Sequence, residues 1–599
     1  MLGATSCEKW LDVNTNPNSP NNESATVEIR LPWIQYYYSY AYGCASVRGS
    51  AFAHIITHVT RTNGGITLNT LWDQSVSPST TPYQNWFIGA ACNIPDLIKR
   101  AEKDGAYHYI GVAHIIKAMG SVMMADLYGE MPYTEAVGPN FAPAYDNGDY
   151  IYEQSLLGLE EGIKYLQMTQ EGGSTALAAG DCWCGGDTQK WIQLAYGLKA
   201  RWLGNLSKTD QYDPTAILDA ISKSIKSTSE NIKITHANVE NAETCITVGD
   251  AYGPSVIWDT AAWGANQRLC KYYVDLLTNF RGSGVEDPRA DKLLPSAMYK
   301  VKFGVDGQIV DYEWIRDEGI NLYDADEGWI VDRYTGGNAN AYLTLAMKDQ
   351  RKAYANADIV KYYESVDAFV NNIGKYYSSD NATVTKAADS VVVVYHAGAM
   401  YVNDSNPLYV EDIKYVQLRS DAIFETSGLS KTDMCCYYTA VSANSRNVGF
   451  VQGTGAFYTR PDSDTDILTY SELCFLKAEV LFRKGDKGGA YNAYIEGIKS
   501  HFARMNEKLN TWQGSGACTT ARGFDVTFAY GPMAQSEIDA YMASAAVKQS
   551  AADLKMSDIM TQKLIALGYN YQTWNDVRRF NYNAGNIADF GVVYNYKEP

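Results

Sequence analysis

Residues 472–494 read ELCFLKAEVLFRKGDKGGAYNAY, and this stretch decides the fold. Apolar side chains recur at helical spacing before Gly485-Asp486 and again after it. The stretch therefore predicts two helices, 468–484 and 487–502, joined by a tight turn. Small and large residues fall roughly where tetratricopeptide repeats place them. The segment predicts a helical hairpin of the kind that stacks into repeat scaffolds.

The same helical pattern recurs on both sides of the chain's middle. Short turns such as Asp104-Gly105 separate the apolar-periodic segments, and Gly568 splits the last pair. No clean period of about 34 residues runs through the chain, so the repeats are divergent. We therefore expect a mainly α fold on a divergent tetratricopeptide-like helical-repeat scaffold. The further predicted helices are 84–103, 106–128, 151–168, 187–207, 214–226, 556–567 and 571–580.

Residues 228–465 have a different character. Short β-branched or aromatic runs at Asn231–Ile234, Tyr299–Phe303 and Val391–Tyr395 alternate with turns rich in Gly, Asn and Asp. Such a pattern indicates short strands between long loops. Long irregular segments inside a compact protein usually serve a function. We expect a loop-rich, partly β region that faces a ligand.

These boundaries divide the chain into four segments within one compact unit. Residues 1–25 would form an anchor and tether, and 26–227 an N-terminal helical-repeat part. Residues 228–465 would form the variable ligand-facing region, and 466–599 a C-terminal helical-repeat part.

Bulk composition excludes one class of partner. The 599 residues carry a formal net charge of -18 with a pI near 4.9, and no basic run of five or more residues occurs. Nucleic-acid binding depends on clustered Lys and Arg, so it is excluded. No stretch approaches the roughly 18–20 consecutive apolar residues of a membrane-spanning helix. Any membrane attachment must come by another route.

Cys7 offers that route. Small residues precede it, and a polar, turn-rich run from Glu8 to Pro20 follows. This context is typical of the acylated cysteine of a bacterial lipoprotein, although an ordinary cysteine on a loose terminus has the same surroundings. We expect a lipid anchor at Cys7.

Metal and cofactor chemistry finds little support. His54 and His58 lie four residues apart on a predicted helix, but no glutamate follows the first histidine as a zinc protease requires. Asp462, Asp464 and Asp466 alternate as in a calcium loop, yet they lack its glycine and its final glutamate, and helix N-capping explains them more simply. We expect no cofactor; a structural calcium elsewhere in the loops is left unassigned.

Several motifs in chain order carry a family resemblance. They are the run that follows Cys7, Met124–Ala136 (MADLYGEMPYTEA), Lys190–Arg201, Asp287-Pro288-Arg289, Tyr470–Glu479, and Ile559–Lys563 with Trp574–Arg579. Together they resemble the SusD/RagB family of surface lipoproteins of the Bacteroidetes, from residue 7 to about 582. Trp191, Trp202 and Trp574 sit at helical spacing and are predicted to be core residues, and Arg578-Arg579 is predicted to cap or brace the last helices.

This resemblance implies a role. It implies a non-catalytic lipoprotein at the cell surface that captures oligosaccharides and acts as the lid of a SusC-like TonB-dependent outer-membrane transporter. Oligopeptide capture in the same role, an adhesive surface protein and a surface glycoside hydrolase are the alternatives. The hydrolase would need two carboxylates, for which loop acids such as Asp311 and Glu313 are candidates.

The ligand-binding residues are chosen from composition and placement. The chain holds 46 tyrosines and 13 tryptophans, and flat aromatic faces suit sugar rings. Polar neighbours would bind the hydroxyl groups. The predicted ligand-binding residues are Trp72 with Arg61, Asn69 and Asp73, together with Trp263, Trp314, Tyr323 and Trp329.

Overall fold

Helices account for most of the described chain. A computed structural model describes residues 25–58, 72, 81–138, 140–236, 267–278, 282–294, 463–512 and 531–582. It also describes strand backbones between 296 and 451, and residues 319, 322, 457–458, 590–594 and 596.

The helices agree closely with the sequence pattern, and the mainly α, tetratricopeptide-like fold is confirmed. A π-helical turn over Asn85–Ala90 and a 3-10 turn over Ala91–Asn93 precede the second α-helix. The helices are α1 Val27–Phe52, α2 Ile94–Lys103, α3 Tyr107–Tyr128, α4 Gly148–Leu166, α5 Thr188–Asn205, α6 Pro214–Lys223, α7 Lys271–Leu277, α8 Ala290–Leu293, α9 Tyr470–Arg483, α10 Lys487–Trp512, α11 Gln535–Met542, α12 Met556–Leu567 and α13 Gln572–Arg579.

The strands fall mainly in the region predicted to be partly β. One sheet follows the order β11-β4-β6-β8-β7, with β5 also paired to β4, and only β4 and β6 run parallel. Two-stranded pairs join β1 to β3, β2 to β12 and β9 to β10. The strands are β1 Ile56–His58, β2 Ile232–Ile234, β3 Gln267–Leu269, β4 Ser296–Phe303, β5 Ile309–Arg316, β6 Asp358–Tyr363, β7 Ala382–Lys386, β8 Val391–Tyr395, β9 Ala397–Asn403, β10 Asn406–Ile413, β11 Phe450–Val451 and β12 Thr465–Leu468.

The chain divides into two compact units. Unit 1 holds residues 1–38, 84–195 and 246–248, and unit 2 holds the remainder. The division into four segments expected from the sequence stays a prediction.

Helix α3 forms the centre of unit 1. It is long and apolar enough to cross a membrane by length and composition, but 83% of its apolar window is buried inside the protein, as in a core helix. Helix α3 approaches α4 closely because a glycine of each helix lies at the contact. A Cβ on Gly111 would lie 2.8 Å from the Gly162 carbonyl oxygen, so neither position has room for a side chain.

The Asp181 carboxylate links helices α1 and α5 in unit 1. Its carboxylate accepts hydrogen bonds from Trp191 Nε1 at 2.7 Å, Gln35 Nε2 at 2.9 Å and the Gly186 backbone N–H at 2.9 Å. A buried carboxylate with several donors is well satisfied. Trp191 is fully buried as predicted, and the Trp183 ring stacks on it at 5.7 Å.

Buried ion pairs connect the helices of unit 2. Arg201 on α5 donates two hydrogen bonds to Glu472 on α9, at 2.6 and 2.7 Å. Arg579 on α13 donates to Glu479 at 2.6 Å and to Asp576 at 2.7 Å, which confirms its bracing role. Such bidentate pairs fix the relative positions of the elements that carry them.

Two local predictions were wrong. His54 and His58 do not share a helix, because α1 ends at Phe52, His54 adopts a left-handed conformation (φ 52°), and His58 belongs to β1. The aspartates before α9 do not cap it, because Thr469 does so. Asp464 instead pairs with Lys233 at 2.8 Å and Lys508 at 3.0 Å, and Asp466 pairs with Arg504 at 2.8 Å.

Candidate functional site: a half-buried aromatic platform

Trp72 is the predicted ligand-binding residue whose surroundings are best defined. Its indole Nε1 donates a hydrogen bond of 3.0 Å to the carbonyl oxygen of Phe52, the last residue of α1. The indole is half-buried and packs against the hydrophobic core of unit 2. Trp72 is therefore fixed at the end of a long helix while part of its surface faces solvent.

The imidazole of His54 stacks on the indole of Trp72. The two rings are stacked, with centroids 5.0 Å apart and planes 11° apart. His54 is fully buried, and the Tyr596 ring meets it edge-on at 5.1 Å. Because His54 is buried and Trp72 is half-exposed, the indole forms the outer layer of this stack.

Three more half-buried rings extend the surface around Trp72. Tyr582 lies 4.8 Å from Trp72 and 5.6 Å from Trp574, and Trp574 stacks on Phe52 at 4.6 Å. We call the four rings of Phe52, Trp72, Trp574 and Tyr582 the aromatic platform. Trp574 is only half-buried, so it belongs to this surface and not to the core, where its helical spacing had placed it.

Backbone strain is concentrated at the platform. Among the described residues, the non-glycine positions with positive φ are His54 (52°), Trp72 (56°), Asn581 (58°) and Tyr582 (57°). A left-handed conformation is unfavourable for bulky side chains, by about 1–3 kcal/mol each, and persists where the surroundings enforce it. Strain of this kind clusters at functional sites. All four residues belong to the platform or adjoin it.

Polar groups lie along the rim of the platform. The Arg578 guanidinium lies over the Trp574 ring at 5.3 Å, and its Nη2 donates to Asn575 Oδ1 at 2.6 Å. Lys208 Nζ donates to Asn581 Oδ1 at 2.8 Å, and burial together with Arg483 and Arg579 lowers the pKa of Lys208. Flat faces beside donors suit a ligand with rings and hydroxyl groups.

Most other predicted site residues lie outside the described residues. These are Arg61, Asn69, Asp73, Trp263, Tyr323 and Trp329, and the anchor Cys7 joins them. Trp314 lies in β5 opposite Met298 of β4. Sequence reasoning missed Phe52, His54 and Tyr582, whose only signal is their aromatic type.

The structure offers little that could hold a metal in the part of the chain it describes. No group of three or more His, Cys, Asp or Glu side chains there could hold an ion. Five described cysteines are free thiols: Cys44, Cys92, Cys184, Cys270 and Cys474.

Comparison with known proteins points in one direction. Residues 25–317 match the family model SusD-like, described as starch-binding and associating with the outer membrane. No curated protein matches the chain significantly.

Solved structures share the fold over nearly the whole chain. A Bacteroidetes SusD-like protein, AC2a, is 18% identical, with 95% of this chain and 91% of that one covered and a TM-score of 0.52. A SusD homolog from Parabacteroides distasonis is 16% identical, with coverages of 93% and 85% and a TM-score of 0.51. A chitin-binding protein is 16% identical, with coverages of 93% and 88% and a TM-score of 0.50.

Proposed function

Because the chain is SusD-like, by its family match over residues 25–317 and by its fold, we propose that it is a nutrient-binding lipoprotein of the outer-membrane surface. It captures oligosaccharides and delivers them to a SusC-like TonB-dependent transporter, whose lid it forms. Cys7 carries the lipid anchor. The energy for import comes from the transporter, and the chain itself is not an enzyme.

The aromatic platform carries this proposal. An aromatic face contributes about 1 kcal/mol when a ring stacks on it, so a ligand that stacks on three of the four platform rings gains about 3 kcal/mol. Millimolar affinity requires about 4 kcal/mol, and hydrogen bonds from the rim supply the difference. Weak binding of this order suits a protein that must release its ligand to a transporter.

The described members of the platform and its rim also favour binding over hydrolysis. They are aromatic rings, the guanidinium of Arg578, the amide of Asn581 and the ammonium of Lys208. Glycoside hydrolysis needs a pair of carboxylic acids about 5–10 Å apart, and none of these groups is an acid. Among the residues that the structure describes, the platform and its rim therefore offer surfaces that hold a sugar, and no pair of acids that would cleave it.

Exposed apolar side chains favour unit 1 as the surface that docks on the transporter. Of ten large hydrophobic side chains that are exposed among the described residues, nine lie in unit 1. Contiguous exposed apolar groups mark protein interfaces, and we propose that these side chains form such a surface. The nine are Ile29, Trp33, Ile88, Val137, Phe141, Tyr145, Tyr150, Leu157 and Met168.

Phe141 is the most prominent of these nine, because its side chain is fully exposed. Its loop is held in shape by two carboxylates. Asp146 accepts from the Thr134 backbone N–H at 2.8 Å, and Glu135 accepts from Asn140 Nδ2 at 2.7 Å and from the Ala144 backbone N–H at 3.1 Å. A rigidly presented aromatic side chain binds a partner at low entropic cost.

Calorimetry with the purified chain tests the proposal against a panel of oligosaccharides and oligopeptides. We expect binding of at least one oligosaccharide without any change in its chain length. Binding of peptides alone would transfer the role to oligopeptide capture. Cleavage of a glycan by the pure protein would contradict the non-catalytic assignment.

A further inference from the structure

A cavity lies within unit 1, and none of the platform residues lines it. It has a volume of about 400 Å³, within the range of small-molecule sites. The turn before α2, helices α2 and α3, and the segment after α3 form its walls. Its apolar lining consists mainly of Trp86, Phe87, Ile94, Ile98, Pro132 and Val137.

The walls of this cavity are fixed in place. Trp86 packs flat against α3 at Gly120, where a Cβ would lie 2.2 Å from the indole. The Tyr38 ring also meets Trp86 edge-on at 6.2 Å. On the opposite side, Asp146 accepts hydrogen bonds from the backbone N–H groups of Tyr133, at 3.0 Å, and Thr134, at 2.8 Å. The cavity is therefore preformed and does not depend on a ligand to shape it.

One positive charge in this cavity has no counter-ion. The Lys117 ammonium lies 5.0 Å from the centroid of the Tyr133 ring, and it forms no hydrogen bond or ion pair with any described residue. Lys117 is accessible to solvent, but the crowded cleft lowers the pKa of its ammonium through desolvation. Burial likewise lowers the pKa of neighbouring His114, which leaves that imidazole neutral at pH 7.

The remaining polar lining leaves the cavity net positive. Lys99 and Glu102 line it from α2, and their formal charges cancel, so the charge of Lys117 remains among the lining residues. Glu160 and Glu161 line the adjoining cleft, which Lys117 also borders. Ser121 and Thr134 contribute only hydroxyl groups. A sugar would leave most of its hydroxyl groups without partners against this apolar lining, whereas a carboxylate on an apolar body matches both the lining and the Lys117 ammonium.

We propose that this cavity is a second binding site, for a small amphipathic carboxylate. The apolar or aromatic body of the ligand fills the space between Trp86 and Val137, and its carboxylate pairs with the Lys117 ammonium. This ligand class differs from the oligosaccharide of the aromatic platform, so the proposal stands independently of it.

Phenylacetate and its neutral analogue phenylacetamide form the test pair, with binding measured by calorimetry and saturation-transfer NMR on the full chain. We expect phenylacetate to bind roughly tenfold more tightly, because only its carboxylate pairs with the Lys117 ammonium. Lys117→Met should abolish this preference. Lys164→Met is the matched control, because Lys164 also lies over a tyrosine ring, at 6.0 Å from Tyr165, but outside this cavity.

A second variant tests the cavity itself. Ala136 lies on the wall formed by the segment after α3, so Ala136→Trp should fill the space and abolish binding of phenylacetate. Circular dichroism and the melting temperature identify any variant that fails to fold. The proposal is overturned if phenylacetate does not bind at about 10 mM, if phenylacetamide binds equally well, or if folded Lys117→Met keeps the preference.

Discussion

The His54 imidazole and the Trp72 indole lie parallel to one another, 5.0 Å apart, and both residues have left-handed backbones. A buried ring thus supports a half-exposed one at a place where two bulky residues adopt an unfavourable conformation. The arrangement holds the partly exposed indole in one defined orientation. It is the physical basis of the aromatic platform.

Replacing His54 tests whether the buried ring orients Trp72. Asparagine tolerates left-handed backbone, so His54→Asn removes the ring without adding backbone strain. We expect a loss of about 1 kcal/mol of stability and a change in tryptophan fluorescence, because an aromatic contact is lost. His108→Asn in unit 1 serves as the control and should leave the fluorescence unchanged. Unaltered fluorescence in His54→Asn would show that the His54 imidazole does not orient the Trp72 indole.

Gly162 tests the close approach of α3 and α4. A Cβ there would lie 2.7 Å from Ile115 Cγ1, so Gly162→Ala should cost about 1–3 kcal/mol in the free energy of unfolding. Gly158 lies one turn earlier on α4, where a Cβ would find ordinary contacts at 3.7 Å. Gly158→Ala should therefore stabilise by up to about 1 kcal/mol, since alanine favours helix. Urea unfolding measures both, and equal effects would contradict the packing described.

Glu479 provides a pH-dependent contribution to stability. Burial alone would raise its pKa, but Arg579 and Arg483 lower it to about 2, from an ordinary value of 4.5. A depressed carboxyl pKa contributes stability above the unfolded value, and that stability is lost as pH falls from about 4.5 to 2.

The expected loss for this one group is about 3 kcal/mol, at about 1.4 kcal/mol per pKa unit. Unfolding free energies measured between pH 6 and 2 should show it, and Glu479→Gln should flatten this part of the curve. Glu161→Gln, at an exposed pair with Lys164, is the control and should leave the curve unchanged. A curve equally steep in Glu479→Gln would exclude the ion pair as its source.

Phe141 tests the docking surface of unit 1. If unit 1 docks on a SusC-like transporter, as we propose, Phe141→Ser should weaken co-purification with that transporter roughly tenfold or more, as expected for an aromatic residue at an interface. Val592→Ser changes an exposed apolar residue of unit 2 and is the matched control. Equal recovery of the barrel with both variants would remove Phe141 from the interface.

The sequence predicted the helices well because apolar periodicity determines which face of a helix is buried. The pattern at 106–128 corresponds to α3, and Gly129, with φ of 79°, follows its end. Helix α1 was missed because aromatic residues crowd Trp33–Tyr42 on all sides and Pro32 interrupts the pattern. The apolar residues of this segment therefore do not mark one buried face of a helix.

The aromatic platform could not be predicted for a different reason. Helical spacing places Trp574 on the inward-facing side of α13, but it does not show whether other elements cover the indole. Its partial exposure depends on long-range packing. Phe52 and Tyr582 lie 530 positions apart in the chain, and no local pattern connects them. The left-handed backbone of Trp72 also has no sequence signature.

The affinity of one oligosaccharide for wild type, Trp72→Asn and Trp33→Ala shows whether the aromatic platform binds the ligand. Asparagine keeps the left-handed backbone at position 72 while it removes the indole, and Trp33 is an exposed tryptophan that is not one of the platform rings. We predict that Trp72→Asn loses roughly fivefold or more in affinity, the equivalent of about 1 kcal/mol, while Trp33→Ala binds like wild type. Undiminished binding by folded Trp72→Asn would show that the aromatic platform is not the oligosaccharide site.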